Sequence, residues 1–397
     1  MWQTGLVWLA CLTLVTGTEA ADRPPPPPCA KRIGDILFKP DDLMQHVNYL
    51  ASPALRGRSG PDAEQAALYI ERHFRKVQLT PLFDADYIQT IPDTSAPSEL
   101  RPPLGKNVGG LIRGRDLNLR DEVILLGVHY DHLGVRRGQI YPGADDNASS
   151  VAMMLETARL ISQLPQPPRR SIAFVGFDLE EQMLYGSRWF ASHPPVPLNK
   201  IKLMVTADLI GRSLGDLPLP MVFMFGSEYC PQLRSHVSLV GIPNGLELGQ
   251  LSTDFIGTRS DYGPFRDQRI PFLFFSTGEH PDYHTPRDRP ERINAEQLTR
   301  ISSLIAQTVI SIANDPTTPR WNSRPEPDIA EAITMERVTE VMLGEDAAQR
   351  KPLSPTVRFV AEQTRSKTKF MGQRGTISDV EQTWLRRSAQ FLLFSAF

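Results

Sequence analysis

Residues 123–134 read VILLGVHYDHLG, and GADDNASS follows at residues 143–150. The opening VILLGV has no polar residue, which is typical of a strand covered on both faces of a sheet. A helix is predicted over Asn147–Leu164, because apolar residues recur there at helical spacing. Its inward face consists of Val151, Met154, Leu155, Ala158 and Ile161. A buried strand, a short loop and an amphipathic helix form the repeating unit of an open α/β sheet.

The same alternation extends outward in both directions from this segment. Further buried strands are predicted at SIAFVGF, IKLMVTA and PFLFF, and weaker strand patterns lie around Tyr87–Ile91 and Asn107–Ile112. Helical periodicity marks DDLMQHVNYLAS, PDAEQAALYIERHFRKV and NAEQLTRISSLIAQTVISIA, the last with Asn294 as its predicted cap. The pattern predicts an α/β fold with three αβα layers around a mixed, mostly parallel sheet.

Composition sets the domain organisation and excludes some classes of partner. The chain has 397 residues, is 41% hydrophobic and carries a formal charge of -2, so it can bury one large core and has no basic patch for nucleic acid. Predicted boundaries are a signal peptide at 1–20, a proline-rich linker at 21–39, the main domain at 40–314, a second linker at 315–327 and a helical C-terminal extension at 328–397. The oligomeric state is left open.

The first twenty residues indicate export. The apolar run Leu6–Val15 is shorter than the roughly 20 residues of a membrane-spanning helix, so no stable span is predicted. Cleavage after Ala20 would release the protein to the periplasm or the medium. A lipid anchor on Cys11 is less favoured, since Trp8 occupies a position where such signals carry an aliphatic residue. After cleavage two cysteines would remain, Cys29 and Cys230, either bonded to each other or free.

Five residues form the predicted metal-ligand set: His129, Asp145, Glu181, Asp208 and His284. Most of them follow apolar strands, and open α/β sheets place their chemistry at the carboxyl ends of strands. Asp131, two residues after His129, is expected to hydrogen-bond that imidazole and orient it. Asp145 lies just before a helix whose dipole favours an anion, and it is predicted to bridge two divalent ions.

The adjacent residues Glu180 and Glu181 are predicted to have different roles, one as metal ligand and one as general base. One carboxylate can bind metal while its neighbour takes a proton from the bound water, and we assign Glu181 as ligand and Glu180 as general base. His280 is a rival to His284 in the same polar loop. Histidine and carboxylate ligands without thiolate fit zinc, and two cations would nearly balance three carboxylates and a hydroxide.

The order and wording of these motifs resemble the M28 family of metallopeptidases over roughly residues 40–314. The match includes GVHYDHLG, GADDNASS, FDLEEQMLYGS, ADLIGR, SDYGPF and YHTPRD. The resemblance implies a phosphorylase/hydrolase-like sheet and two zinc ions bridged by Asp145, with His129 and Asp208 completing one site and Glu181 and His284 the other. It also implies a cis peptide between Asp145 and Asp146, and YHTPRD is what selects His284 over His280.

The implied activity is that of an exported dizinc aminopeptidase acting on the amino termini of peptides or proteins through a bridging hydroxide, with Glu180 as general base. Three alternatives remain open: a carboxypeptidase or other amidohydrolase on the same site, a glutaminyl-cyclase-like transferase, and a non-catalytic binding module of this fold. Met183 and Ser150 stand where the family usually has glycine, which could narrow the pocket without removing a ligand.

Overall fold

The computed structural model of the protein describes residues 38–93, 102–345 and 352–396. The predicted signal peptide, Cys29 and nearly all of the first linker lie outside these residues. Among the helices of the described part, none is long and apolar enough to cross a membrane.

The helices of the described residues are α1 (Pro40–Leu50), α2 (Glu64–Lys76), α3 (Ser149–Ser162), α4 (Tyr185–Ser192), α5 (Gln232–Val240), α6 (Tyr262–Asp267), α7 (Ala295–Asn314), α8 (Ile329–Leu343), α9 (Pro355–Arg374) and α10 (Asp379–Ala396). The strands are β1 (Thr80–Pro81), β2 (Ile88–Ile91), β3 (Gly105–Ile112), β4 (Val123–His129), β5 (Val135–Arg136), β6 (Gln139–Ile140), β7 (Ser171–Phe177), β8 (Ile201–Ala207), β9 (Met221–Phe225), β10 (Glu247–Gln250) and β11 (Phe272–Ser276).

A nine-stranded sheet organises the molecule in the order β1-β3-β7-β4-β8-β11-β9-β10, with β2 also paired to β3. The central strands β7, β4, β8 and β11 run parallel, whereas β3 and β9 pair antiparallel with their inner neighbours. The mixed sheet with a parallel centre confirms the predicted fold class.

Two hydrophobic layers cover the faces of this sheet. On β4, Ile124 and Leu126 pack into one layer with α1, α2, α3, α5 and α7, while Val123 and Leu125 pack into the other. The second layer contains residues of α4, α6, α8, α9 and α10. Alternate residues of one strand therefore face opposite helical layers, as the uninterrupted apolar run predicted.

The C-terminal helices α8, α9 and α10 are part of this second layer. Met335 of α8, Ala361 of α9 and Leu392 of α10 are buried in the same cluster as Phe223 of β9. Cys230, near the start of α5, is a buried free thiol.

Candidate metal centre

The centre lies at the carboxyl ends of the four central strands. His129 is the last residue of β4, and Asp208 directly follows β8. The Glu180–Glu181 pair follows β7, and His284 lies in the loop after β11. Parallel strands end at the same edge of a sheet, which is why these distant segments meet.

The first group of ligand atoms comes from His129, Asp146 and Asp208. The Nε2 atom of His129 lies 3.5 Å from a carboxylate oxygen of Asp146 and 3.5 Å from one of Asp208. All three residues are buried, and their ligand atoms lie within 4.8 Å of one another. The spacing suits one divalent cation held between them.

The second group comes from His132, Asp146 and Glu181, whose ligand atoms also lie within 4.8 Å of one another. Nδ1 of His132 lies 2.8 Å from a Glu181 oxygen, and Nε2 of His284 lies 3.4 Å from the other oxygen. His284 also approaches Asp146, at 3.1 Å. The carboxylate of Asp146 therefore belongs to both groups and stands between them.

Two buried carboxyl groups of the centre have raised pKa values. Burial raises the pKa of Asp146 to about 7, although a hydrogen bond from His284 opposes the shift. Burial likewise raises the pKa of Glu180 well above its usual value, against the attraction of His129. Burial therefore favours the protonated forms of Asp146 and Glu180.

Unsatisfied polar atoms lie within the first ligand group. Nε2 of His129 and Oδ1 of Asp208 are buried and have no hydrogen-bond partner. Buried polar atoms are nearly always paired, so such a concentration needs an explanation. Imidazole and carboxylate donors fit divalent metal ions such as zinc.

Asp131 connects His129 to the Glu180–Glu181 pair. Its carboxylate accepts hydrogen bonds from the backbone N–H groups of Glu180 and Glu181, at 3.0 and 3.3 Å. One of its oxygens lies 3.6 Å from Nδ1 of His129. The side chain thus links the end of β4 to the glutamate pair after β7.

Glu180 stands beside the ligand groups without joining either. Its nearest carboxylate oxygen is 4.0 Å from Nε2 of His129. The side chain is mostly buried, at 11% exposure, so it faces the centre rather than solvent. A carboxylate in this position is free to exchange protons.

Comparison with known proteins identifies the family. The sequence profile of Peptidase family M28 matches residues 107–309, half of the chain, and that range contains every residue of the two ligand groups. The chain belongs to peptidase family M28.

Curated relatives of this M28 protein match it over part of their length. Aminopeptidase YwaD of Bacillus subtilis is 27% identical over 214 residues, which cover 51% of this chain and 44% of the relative. The chain thus spans less than half the length of that relative.

Solved structures share the M28 fold. The zinc aminopeptidase BSAP from Bacillus subtilis has a TM-score of 0.54 at 17% identity, over 69% of this chain and 95% of BSAP. Glutaminyl cyclase of Porphyromonas gingivalis has a TM-score of 0.55 at 18% identity, over 68% of this chain and 98% of the cyclase. At these identities the likeness concerns the fold alone.

The prediction that Asp145 is the shared ligand of this M28 centre needs correction, because Asp146 occupies that position. The Asp145 carboxylate turns away: one oxygen accepts the N–H of Gly211 at 2.6 Å, and the other lies 3.4 Å from Nε2 of His280. The cis peptide is also one residue later than predicted, between Asp146 and Asn147.

Three residues of the M28 centre were missed from sequence. His132 was visible as a further imidazole in VHYDHLG, and its spacing from His129 was the available signal. Asp288 accepts the backbone N–H groups of both Asp145 and Asp146, at 3.0 to 3.1 Å, from far along the chain.

Arg58 is the third missed residue. It is fully buried and donates hydrogen bonds to the carbonyl oxygens of Leu50, Tyr130, Pro142, Gly143 and Asp146, at 2.6 to 3.3 Å. Burial lowers its pKa to about 10, against the attraction of Asp146, so the guanidinium stays charged at neutral pH. Three of its five bonds, to Pro142, Gly143 and Asp146, hold the backbone of the loop that carries Asp146.

Proposed function

We propose that this M28 protein is a zinc aminopeptidase that removes residues from the amino termini of peptides. The single observation that carries the proposal is the convergence of two ligand groups on Asp146 beside the unliganded carboxylate of Glu180. The name of the relative YwaD, an aminopeptidase, supports the same activity.

Two zinc ions are proposed, the first in the first ligand group and the second between Asp146, Glu181 and His284, with His284 as the imidazole ligand instead of His132. His129, Asp146 and Asp208 would hold the first. His132 would orient Glu181 through their 2.8 Å contact. When bound, such cations lower the pKa of water and polarise a peptide carbonyl.

The chain's own residues would manage the protons. Glu180 takes a proton from the attacking water and passes it to the departing amine, a role that suits a carboxylate lying beside the ligand groups without joining them. Asp131 keeps Glu180 in place by accepting its backbone N–H. The peptide's first side chain would lie in the apolar space next to Asp208.

An activity panel with chelation and zinc add-back tests this function. Aminoacyl reporter substrates should be hydrolysed, activity should disappear with chelator, and zinc should restore it. Hydrolysis that resists chelation would overturn the metal mechanism. Cleavage restricted to carboxyl-terminal reporters would indicate a carboxypeptidase, and cyclisation of amino-terminal glutamine without hydrolysis would indicate a transferase.

Export is a further proposal, supported by the apolar run Leu6–Val15 and the small residues up to Ala20. Amino-terminal sequencing of protein from the extracellular or periplasmic fraction should begin at Ala21. Recovery of the unprocessed chain in the cytosol alone would contradict it.

A further inference from the structure

An apolar cavity of about 320 Å³ opens beside the metal centre, a size within the range of small-ligand sites. Asp208 and Tyr283 line it on the side of the centre, and Phe223, Phe225 and Phe274 of the sheet supply aromatic walls. Gln390 and Leu393 of α10 also line it. A helix of the C-terminal extension, outside the family match at 107–309, thus contributes to the space next to the metal ligands.

Leu393 lines both this cavity and a neighbouring one. A second, smaller apolar cavity of about 70 Å³ shares seven lining residues with the first but is not lined by Asp208 or Tyr283. Leu393 is the one shared residue that comes from the C-terminal extension. Its other walls include Met335 of α8 and Leu392 of α10. The half-buried side chain of Leu393 therefore stands where the first space borders the second.

The helix α10 is held firmly against the cavity. The Arg386 guanidinium pairs with the Asp254 carboxylate at 2.9 Å, and the Gln390 amide donates to the Asp254 carbonyl at 3.3 Å. Asp254 itself lines the cavity, so these bonds tie α10 to another part of the cavity wall. Buried Leu385 and Ala389 anchor the same helix in the hydrophobic layer below the sheet.

We propose that Leu393 is the end wall of the pocket for the first side chain of the substrate, so that the C-terminal extension sets the size limit of the enzyme. The pocket takes bulky apolar side chains of the leucine and phenylalanine class, because most of its lining residues are aliphatic or aromatic and bury such side chains favourably. Four charged residues also line it: Asp208, Asp254, Arg259 and Glu279. The inference rests on the proposed aminopeptidase function.

Two substitutions of Leu393 test the wall in opposite directions. Leu393→Ala removes the barrier to the second cavity, so the kcat/KM ratio for 4-phenylphenylalanyl over leucyl reporter peptides should rise by about 10-fold or more. Leu393→Trp shortens the pocket. The ratio of kcat/KM for alanyl over phenylalanyl reporter peptides should therefore rise by a similar factor. Phe391→Ala, on an exposed part of the same helix, is the matched control and should leave both ratios unchanged.

A binding measurement separates failure of the pocket from failure of the function. Calorimetric titration of the metal-free protein with free leucine, phenylalanine and 4-phenylphenylalanine should show the same changes in rank order. Absence of chelator-sensitive hydrolysis in the unmodified protein would overturn the aminopeptidase function, while the titrations would still test the wall. The assignment of Leu393 as the end wall would be wrong if the folded variants kept their kcat/KM ratios within twofold of the unmodified protein. An unchanged rank order of affinities would contradict it as well. Should Leu393→Ala unfold, Leu393→Trp decides alone.

Discussion

At the scale of single residues, Asp145 and Asp146 are chain neighbours with different tasks. The Asp146 carboxylate lies between the two ligand groups, whereas Asp145 bonds to Gly211 and faces His280. We expect Asp146→Asn to lose bound zinc and to lower turnover by more than about 100-fold. Without zinc, neither the attacking water nor the peptide carbonyl is activated. Asp145→Asn is the matched control and should retain its zinc. Metal analysis after dialysis measures both; zinc loss confined to the Asp145 variant would restore the original prediction.

Glu180 and Glu181 form a second matched pair. Glu180→Gln should lower kcat by about 10²–10⁴-fold with zinc content unchanged, because only proton transfer is lost. Glu181→Gln should instead reduce zinc content, since Glu181 contacts both His132 and His284. Steady-state kinetics together with metal analysis distinguish the two effects. Near-normal turnover in the Glu180 variant would assign the base elsewhere.

The sequence predicted which segments meet but not which of two adjacent acids faces inward. Chain spacing cannot decide between Asp145 and Asp146, because the choice depends on local backbone angles and on the distant carboxylate of Asp288. Arg58 could not be predicted either, because its partners are backbone carbonyl groups. Every residue has such a group, so the sequence gives no signal for these bonds. Contacts of that kind become visible only in three dimensions.

At the scale of elements, the predictions rested on strong local signals. VILLGVH and SIAFVGF coincide with β4 and β7, because their apolar character spans the whole strand. Asn294 caps α7 by accepting the N–H of Gln297, as the capping pattern indicated. The predicted helix over Asn147–Leu164 is shorter at both ends, since the residues before Ser149 adopt the irregular backbone that carries Asp146.

Helices α1, α2 and α3 are joined by a buried polar cluster around Glu156. His46 of α1 lies 3.4 Å from the Glu156 carboxylate and 2.8 Å from the Tyr69 hydroxyl of α2, and Arg159 pairs with Glu156 at 2.6 Å. Burial alone would raise the pKa of Glu156, but the hydrogen bonds from His46 and Arg159 outweigh it and lower the pKa to about 2. The cluster is therefore most stabilising when Glu156 is ionised.

This depressed pKa predicts a pH-dependent stability. Because the pKa is lower in the folded than in the unfolded state, the stabilisation is complete above about pH 4.3 and is lost as pH falls toward the folded value. Glu156→Gln should lower the free energy of unfolding by about 2 kcal/mol at pH 7. The difference from the unmodified protein should shrink at pH 3.

Urea unfolding at several pH values, in the presence of chelator, measures this effect. Glu296→Gln on the exposed face of α7 is the control and should change stability by less than about 0.5 kcal/mol. A stability difference for Glu156→Gln that does not vary with pH would contradict the linkage.

At the scale of the whole molecule, bound metal should contribute to stability. The ligands come from the ends of strands across the centre of the sheet, so a cation that binds only the folded state stabilises the entire unit. Removal of zinc by chelation should lower the melting temperature by about 5 °C or more, and add-back should restore it. Asp146→Asn should show little further change with chelator; a melting temperature indifferent to zinc in the unmodified protein would argue against a structural contribution.

The reach of Arg58 into the loop of Asp146 has a practical consequence for any shortened version of this enzyme. A fragment cut to the segment that matches the family, at 107–309, would retain every proposed zinc-binding side chain yet lose the guanidinium that holds the backbone around Asp146 from an earlier part of the chain. Chimeras, grafted active sites and expression fragments should therefore start upstream of α1, since the minimal working unit is longer than the stretch that homology alone would delimit.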